Sequence, residues 1–199
     1  MVTVIHVEAV RCSSQWAAAE VGHPETAAAV VDSAGSAEAV EVLAAAVRAE
    51  AGDEMRTREF LSKLEHDQIV GAIREAESKT SGEIRVYIQR GKLNTDPLIS
   101  AQKKFHRLGM QKTRERNAVL IWVAPRARKF AVVGDIAIHE KCGEEFWNRV
   151  VTAMHHCFRQ HKFTEGIRGA ITVIGDMLAQ HFPRTPTSSN ELPDEIVEE

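Results

Sequence analysis

Between residues 58 and 182 the apolar positions change period several times, and each change marks a new element. Ser62 with Glu65 three residues later has the form of a capping box, and Leu61, Ile69, Ala72, Ile73 and Ala76 share one helical face. From Glu83 the period drops to two, with Ile84, Val86 and Ile88 on one side and Glu83, Arg85 and Tyr87 on the other. That pattern predicts a strand with one buried face. Asp96 before Pro97 opens a second helix, in which Leu98, Ala101, Phe105 and Leu108 are three or four apart and Gly109 ends the run. Residues 118 to 124 are then continuously apolar, include Trp122 and stop at Pro125. A run that short and that apolar predicts a central strand covered on both faces. The turn at Pro125, Arg126, Ala127 and Arg128 leads into residues 129 to 134 as an antiparallel hairpin. Two more helices follow. Phe146, Val150, Ala153, Met154, Cys157 and Phe158 form one stripe; after Thr164 as N-cap, Ile167, Ala170, Ile171, Ile174 and Leu178 form another, closed by Pro183.

This order predicts a three-layer α/β/α sandwich around a small mixed sheet, with strands at about 83–89, 118–124 and 129–134. Two strands joined through a helix run parallel with a right-handed crossover, whereas the hairpin reverses the third. The starts of the first two strands therefore meet the end of the third on one rim. That rim collects Glu83, then Arg114, Glu115, Arg116 and Asn117, then Asp135, with His139, Glu140 and Lys141 close behind. It is the densest polar cluster the topology can assemble.

The chain's 199 residues, 44% of them apolar, suffice for one substantial core, so a single domain over 55–182 is expected. Residues 1–54 are rich in Ala, Val and Glu with few large side chains, and read as a disordered acidic extension, with Met55 a candidate start. Residues 183–199, with Pro183, Pro186, Pro193 and an acidic finish, read as a disordered tail. Charge divides the same way. Residues 55–182 hold twenty-two Lys and Arg against fourteen Asp and Glu, while 1–54 hold nine acids and two bases, and 183–199 five acids and one base. A basic body favours anionic partners. Cys12, Cys142 and Cys157 are an odd number at irregular spacing, which fits a reducing compartment. With no apolar run of about 20 residues and no secretory leader, the protein is expected to be soluble and cytoplasmic, without a membrane contact.

The run TSGEIRV at Thr80 to Val86, RNAVLIWVAPRARKFAVVGD from Arg116 to Asp135, IHEK at Ile138 to Lys141, FW at Phe146 and Trp147, and the later EGI and HFP resemble the TPM domain family over about residues 58–183. Members include a thylakoid-lumen protein described as an acid phosphatase, a photosystem repair factor and an auxiliary protein of acetylcholine receptors. The resemblance implies an α/β/α sandwich and raises phosphate-ester hydrolysis as an activity. Many members show Asp, Asn, Gly entering the second strand where this chain has Arg116, Asn117 and Ala118, so only Asn117 carries over. This chain resembles a cytosolic branch.

Hydrolysis of a phosphomonoester would assign Asp135 as nucleophile or ligand and His139 as general acid, with Asn117, Arg114 and Arg116 around the phosphate. Asp135 is equally placed to cap the next helix, leaving Glu83, Arg116, Glu140 and Lys141 as rim ion pairs. No cofactor is called for. Glu83, Glu115, Asp135 and Glu140 supply oxygens for a divalent cation, but Arg114, Arg116 and Lys141 beside them oppose it. His139, Cys142, His155, His156, Cys157 and His161 are separated by helical phase, so Cys157 reads as a core residue, not a zinc ligand. Lys103, Lys104, Arg107, Lys112, Arg114 and Arg116 give a nucleic-acid signal that is electrostatic only. The leading expectation is a binding module whose rim takes a protein or a small anionic ligand; a weak phosphatase is the alternative, and a nucleic-acid binder ranks lower.

Overall fold

The structure, a computed structural model, describes residues 58–186 and 190–199. The expected extension at 1–54 lies outside the described residues. A short helix over 58–62 (α1) precedes α2 (His66–Glu77), β1 (Glu83–Ile88), α3 (Pro97–Arg107), β2 (Ala118–Ala124), β3 (Lys129–Gly134), α4 (Ile136–Arg159), α5 (Phe163–His181) and β4 (Val197–Glu198). The sheet has the order β3-β2-β1-β4. β1 runs parallel to β2 with Glu83 opposite Ala118, and β2 runs antiparallel to β3 with Val119 opposite Gly134. Among the described residues no helix is long and apolar enough to cross a membrane.

Two cores make the three layers. On one face Ile84, Val86, Ile88, Val119, Ile121 and Val123 pack under α2, α4 and α5. On the other, Tyr87, Leu120, Trp122 and Val133 pack under Leu98, Ala101 and Phe105 of α3. Each fully buried aliphatic or aromatic side chain contributes roughly 1.5 to 3 kcal/mol. Helices α2 and α5 approach closely because Gly175 faces Ala76: a Cβ at position 175 would lie 2.6 Å from the Ala76 Cβ.

Several local expectations are corrected. Ser62 does not cap α2; its hydroxyl donates to Glu59 O at 2.9 Å. The N-cap residue is Glu65, and it is held from across the fold, where the Thr164 hydroxyl accepts the Glu65 N–H at 3.0 Å and donates to Lys63 O at 3.2 Å. Thr164 is thus inside α5, which starts one residue earlier at Phe163. Asp96 caps α3 as the sequence predicts, accepting from Leu98 and Ile99. The α4 stripe includes Trp147 and Val151, while Ala153 is exposed. A break in helical geometry at Gly143 (φ 66°, ψ 178°) resets the phase ahead of that stripe.

The larger differences concern β1 and the chain end. β1 is buried on both faces, because its polar side is covered by α3 and by residues 190–199. Those residues, expected to be disordered, lie along β1 and add β4, with Tyr87 opposite Val197 and Ile88 opposite Glu198 in parallel register. Three aliphatic side chains interrupt the acidic run. Ile196 packs against the core under α2 and α5, and Leu192 and Val197 against the core under α3. A strand edge with open N–H and C=O groups supplies the rest.

Candidate functional site

The register places Glu83, Ala118 and Asp135 in one row across the rim, and the Asp135 N–H donates to Ala118 O at 2.9 Å. Glu83 and Asp135 are two strand spacings apart, about 10 Å. Their side chains serve different ends.

Asp135 is fully buried. Its Oδ1 accepts the Ile136 N–H at 2.8 Å and Arg116 Nη2 at 2.9 Å, and its Oδ2 accepts Arg116 Nε at 2.7 Å. This is a two-pronged charge-assisted pair added to a helix N-cap. Arg116 itself adopts φ 55°, a left-handed conformation rare outside glycine, and 38% of its side chain is exposed. Asn117 is buried, and its Nδ2 donates to Ser81 Oγ at 3.2 Å, which in turn donates to the Glu115 carboxylate at 2.9 Å. His139 is half-buried in the first turn of α4, with Nδ1 enclosed and without a hydrogen-bond partner. Glu140 and Lys141 are exposed on that turn. The rim thus joins Arg116 to Asp135 and Asn117 to Ser81, and leaves His139, Glu140 and Lys141 outside both pairs. Among the described residues no three His, Cys, Asp or Glu side chains converge on a position that could hold a metal ion.

Glu83 faces the other way, toward the chain end. It is buried, and its carboxylate accepts the successive main-chain N–H groups of Glu191 at 2.9 Å and Leu192 at 3.1 Å. Burial pushes its pKa up against those two hydrogen bonds, and the charges of Glu191 and Asp194 push the same way. The Arg114 N–H in turn holds the Glu191 carboxylate at 3.1 Å.

Beside Glu83 lies a cavity of about 170 Å³ lined by Arg74, Glu77, Thr80, Glu83, Arg184 and Asp194 among others. Sequence reading missed it. Glu77 is buried; its Oε1 accepts the Ile84 N–H at 2.8 Å, and burial, reinforced by Glu83 and Asp194, pushes its pKa up to about 8. The signal was present: Glu77 continues the stripe of Ile69, Ile73 and Ala76 at helical spacing, so it had to point inward. Arg74 pairs with Asp194 at 3.2 Å, and Arg184 donates to Glu77 O at 2.8 Å. Arg85 is buried behind them with Nε unpartnered; burial lowers its pKa, and Glu195, Glu77 and Glu83 oppose that.

From this cavity residues 190–199 continue along the β1 edge. The Glu199 N–H donates to Ile88 O at 3.1 Å and the Arg90 N–H donates to Glu199 O at 2.5 Å. Glu198 meets His66 Nε2 at 2.6 Å and the Arg90 guanidinium. Glu199 meets Lys104 Nζ at 2.6 Å and Arg107 at 3.7 Å. Lys104 is itself buried, stacked 4.1 Å over the Tyr87 ring. Of the cations assigned to a nucleic-acid face, Lys104 is therefore committed within the fold.

A TPM domain model matches residues 55–177. None of the curated proteins compared with the chain matches it. Among solved structures, the NMR structure of the BA42 protein from the psychrophilic bacterium Bizionia argentinensis is similar, with a TM-score of 0.63 and 35% identity, covering 68% of this chain and 95% of that one. The matched span is more than half of the chain and contains the whole rim, β1 to α4 included, so the chain belongs to the TPM domain family.

Proposed function

We propose that this TPM domain is a binding module whose polar rim and adjoining β1 edge hold an extended segment of a protein partner. The observation that supports this is the Glu83 carboxylate, buried and engaged by two successive main-chain N–H groups, those of Glu191 and Leu192. A carboxylate bonded in that way reads a peptide backbone whatever its side chains, and the neighbouring strand edge continues the same recognition by β-addition. Arg114 and the exposed part of Arg116 add positive charge for an anionic group on the ligand.

Hydrolysis of a phosphomonoester is the rival reading. It requires Asp135 as nucleophile or metal ligand, yet that carboxylate is fully buried, with Oδ1 accepting two hydrogen bonds and Oδ2 one from Arg116. A nucleophile or ligand needs a lone pair in reach of its target. That engagement favours binding over hydrolysis. The free thiols of Cys142 and Cys157 fit a cytoplasmic setting.

The test is to pan an unbiased displayed decapeptide library on the full chain carrying Leu192→Pro, Glu198→Lys and Glu199→Lys, which takes the Leu192 N–H from Glu83 and turns the chain end away from Arg90, Lys104 and Arg107. Adding Glu83→Ala, with folding checked by circular dichroism, is expected to lower recovery about tenfold, the equivalent of roughly 1.4 kcal/mol for two lost hydrogen bonds. Equal recovery with and without Glu83 contradicts the proposal. So does p-nitrophenyl phosphate hydrolysis that vanishes in a folded Asp135→Asn variant, which establishes the phosphatase instead.

A further inference from the structure

We infer that the ligand of this surface is an acidic extended segment of a partner protein, two aliphatic residues followed by two acidic ones, docked parallel to β1, and that residues 190–199 occupy its place intramolecularly. This rests on the peptide-binding reading and names the ligand that reading leaves open.

The side-chain order of the chain end is matched position by position. In a strand successive side chains alternate between faces. Ile196 accordingly packs, half-buried, against the core under α2 and α5, and Val197 against the core under α3, so each face of the β1 edge takes one aliphatic side chain. The next two positions meet cations. Glu198 lies between His66 and Arg90, and Glu199 reaches Lys104, Arg107 and the Tyr87 hydroxyl, the last at 3.4 Å. Lys104 is the specific element, since a buried ammonium held over an aromatic ring needs a carboxylate partner more than an exposed lysine does.

A cleft of about 350 Å³ continues beside Glu199, bordered by Tyr87, Gln89, Ser100, Lys103 and Arg107. Lys103 and Arg107 give it positive charge that only Arg107, at 3.7 Å from Glu199, shares with the chain end. A ligand with a further acidic group beside Lys103 gains a contact that residues 190–199 do not make. The intramolecular hold is also shallow, because β4 pairs only two residues with β1 and its charge pairs are partly exposed. It competes chiefly through its tether, at an effective concentration on the order of millimolar. Charge reversal at 198 and 199 removes that competitor's hold on Arg90, Lys104 and Arg107, while Glu83 keeps its bonds to the Glu191 and Leu192 N–H groups.

A fluorescein-labelled peptide with the sequence of residues 190–199, titrated by anisotropy, tests this. The full chain carrying Glu198→Lys and Glu199→Lys is expected to bind it at least about tenfold more tightly than the unaltered full chain, whose own segment competes. Adding Lys104→Ala is expected to weaken binding at least about fivefold, and raising salt from about 0.05 to 0.5 M to weaken it further. A scrambled peptide of the same composition is expected to bind markedly less. Equal binding of native and scrambled sequences, or no gain on charge reversal, overturns the inference. If other library peptides bind the charge-reversed chain while this one does not, the ligand class is wrong and the peptide-binding reading stands; if no peptide binds, both fail. A dimer of the unaltered chain that dissociates on charge reversal assigns the groove to a second copy and also overturns the inference.

Discussion

Arg116→Met is expected to destabilise the fold by about 3 kcal/mol, clearly more than Asp135→Asn, even though the two residues form one pair. The asymmetry comes from burial. Asp135 is fully enclosed, whereas Arg116 keeps 38% of its side chain exposed. Without the guanidinium, a carboxylate is stranded with one main-chain donor, and the cost is its desolvation. Without the carboxylate's charge, Arg116 turns to water, and the asparagine oxygen still accepts the Ile136 N–H as a competent N-cap. A loss of about 1 to 2 kcal/mol is expected there. Arg116→Gly separates charge from backbone, because the left-handed φ of 55° is unstrained for glycine, and it is expected to recover about 1 kcal/mol relative to the methionine variant. Urea unfolding midpoints at constant m-value measure all three. Equal losses for Arg116→Met and Asp135→Asn would mean that the pair is not a structural clamp and that Asp135 is available for other work.

The second large effect is a loss of stability as pH rises from about 4.5 to 8. Glu77 has its pKa raised by burial from 4.5 to about 8 in the folded state, so below 4.5 both folded and unfolded forms are protonated and the fold keeps its full stability. Between 4.5 and 8 the folded chain holds a proton the unfolded chain has released, and stability falls as pH rises, by up to about 1.4 kcal/mol per unit. Above 8 the decline levels. Glu83, raised in the same direction, adds to it. His155, whose pKa burial lowers, works in the opposite sense on the acid side of neutrality, so the comparison is made against a variant. Glu77→Gln keeps an oxygen for the Ile84 N–H and removes the titration. Between pH 5.5 and 8.5 the unaltered chain is expected to lose on the order of a few kcal/mol more than Glu77→Gln. Parallel stability curves for the two proteins would rule out a buried, proton-retaining Glu77.

Most of the architecture was legible because the apolar periods are unambiguous. The unbroken run from Ala118 to Ala124 could only be a strand covered on both faces, and once its polarity was known the row of Glu83, Ala118 and Asp135 followed from pairing rules. Local capping was less legible. The Ser62 and Glu65 spacing imitates a capping box, but the hydroxyl that serves α2 belongs to Thr164, ninety-nine positions from Glu65, a contact only tertiary packing creates. The chain end misled for a compositional reason. Leu192, Ile196 and Val197 are too few to signal a strand among five acidic residues, and what orders them is the complementary edge and the cations of Arg90 and Lys104. The same omission hid Glu83's role, since its two donors lie more than one hundred positions away.

The most direct measurement is amide hydrogen exchange at Leu192 and Glu199 in the unaltered full chain. The Leu192 N–H is bonded to Glu83 at 3.1 Å and also to Asn190 Oδ1 at 3.2 Å, and the Glu199 N–H to Ile88 O. Each is expected to exchange at least about tenfold more slowly than in a free peptide of the same sequence, with Leu192 losing part of its protection in Glu83→Ala. Exchange of both amides at the free-peptide rate would contradict a rim that grips a polypeptide backbone.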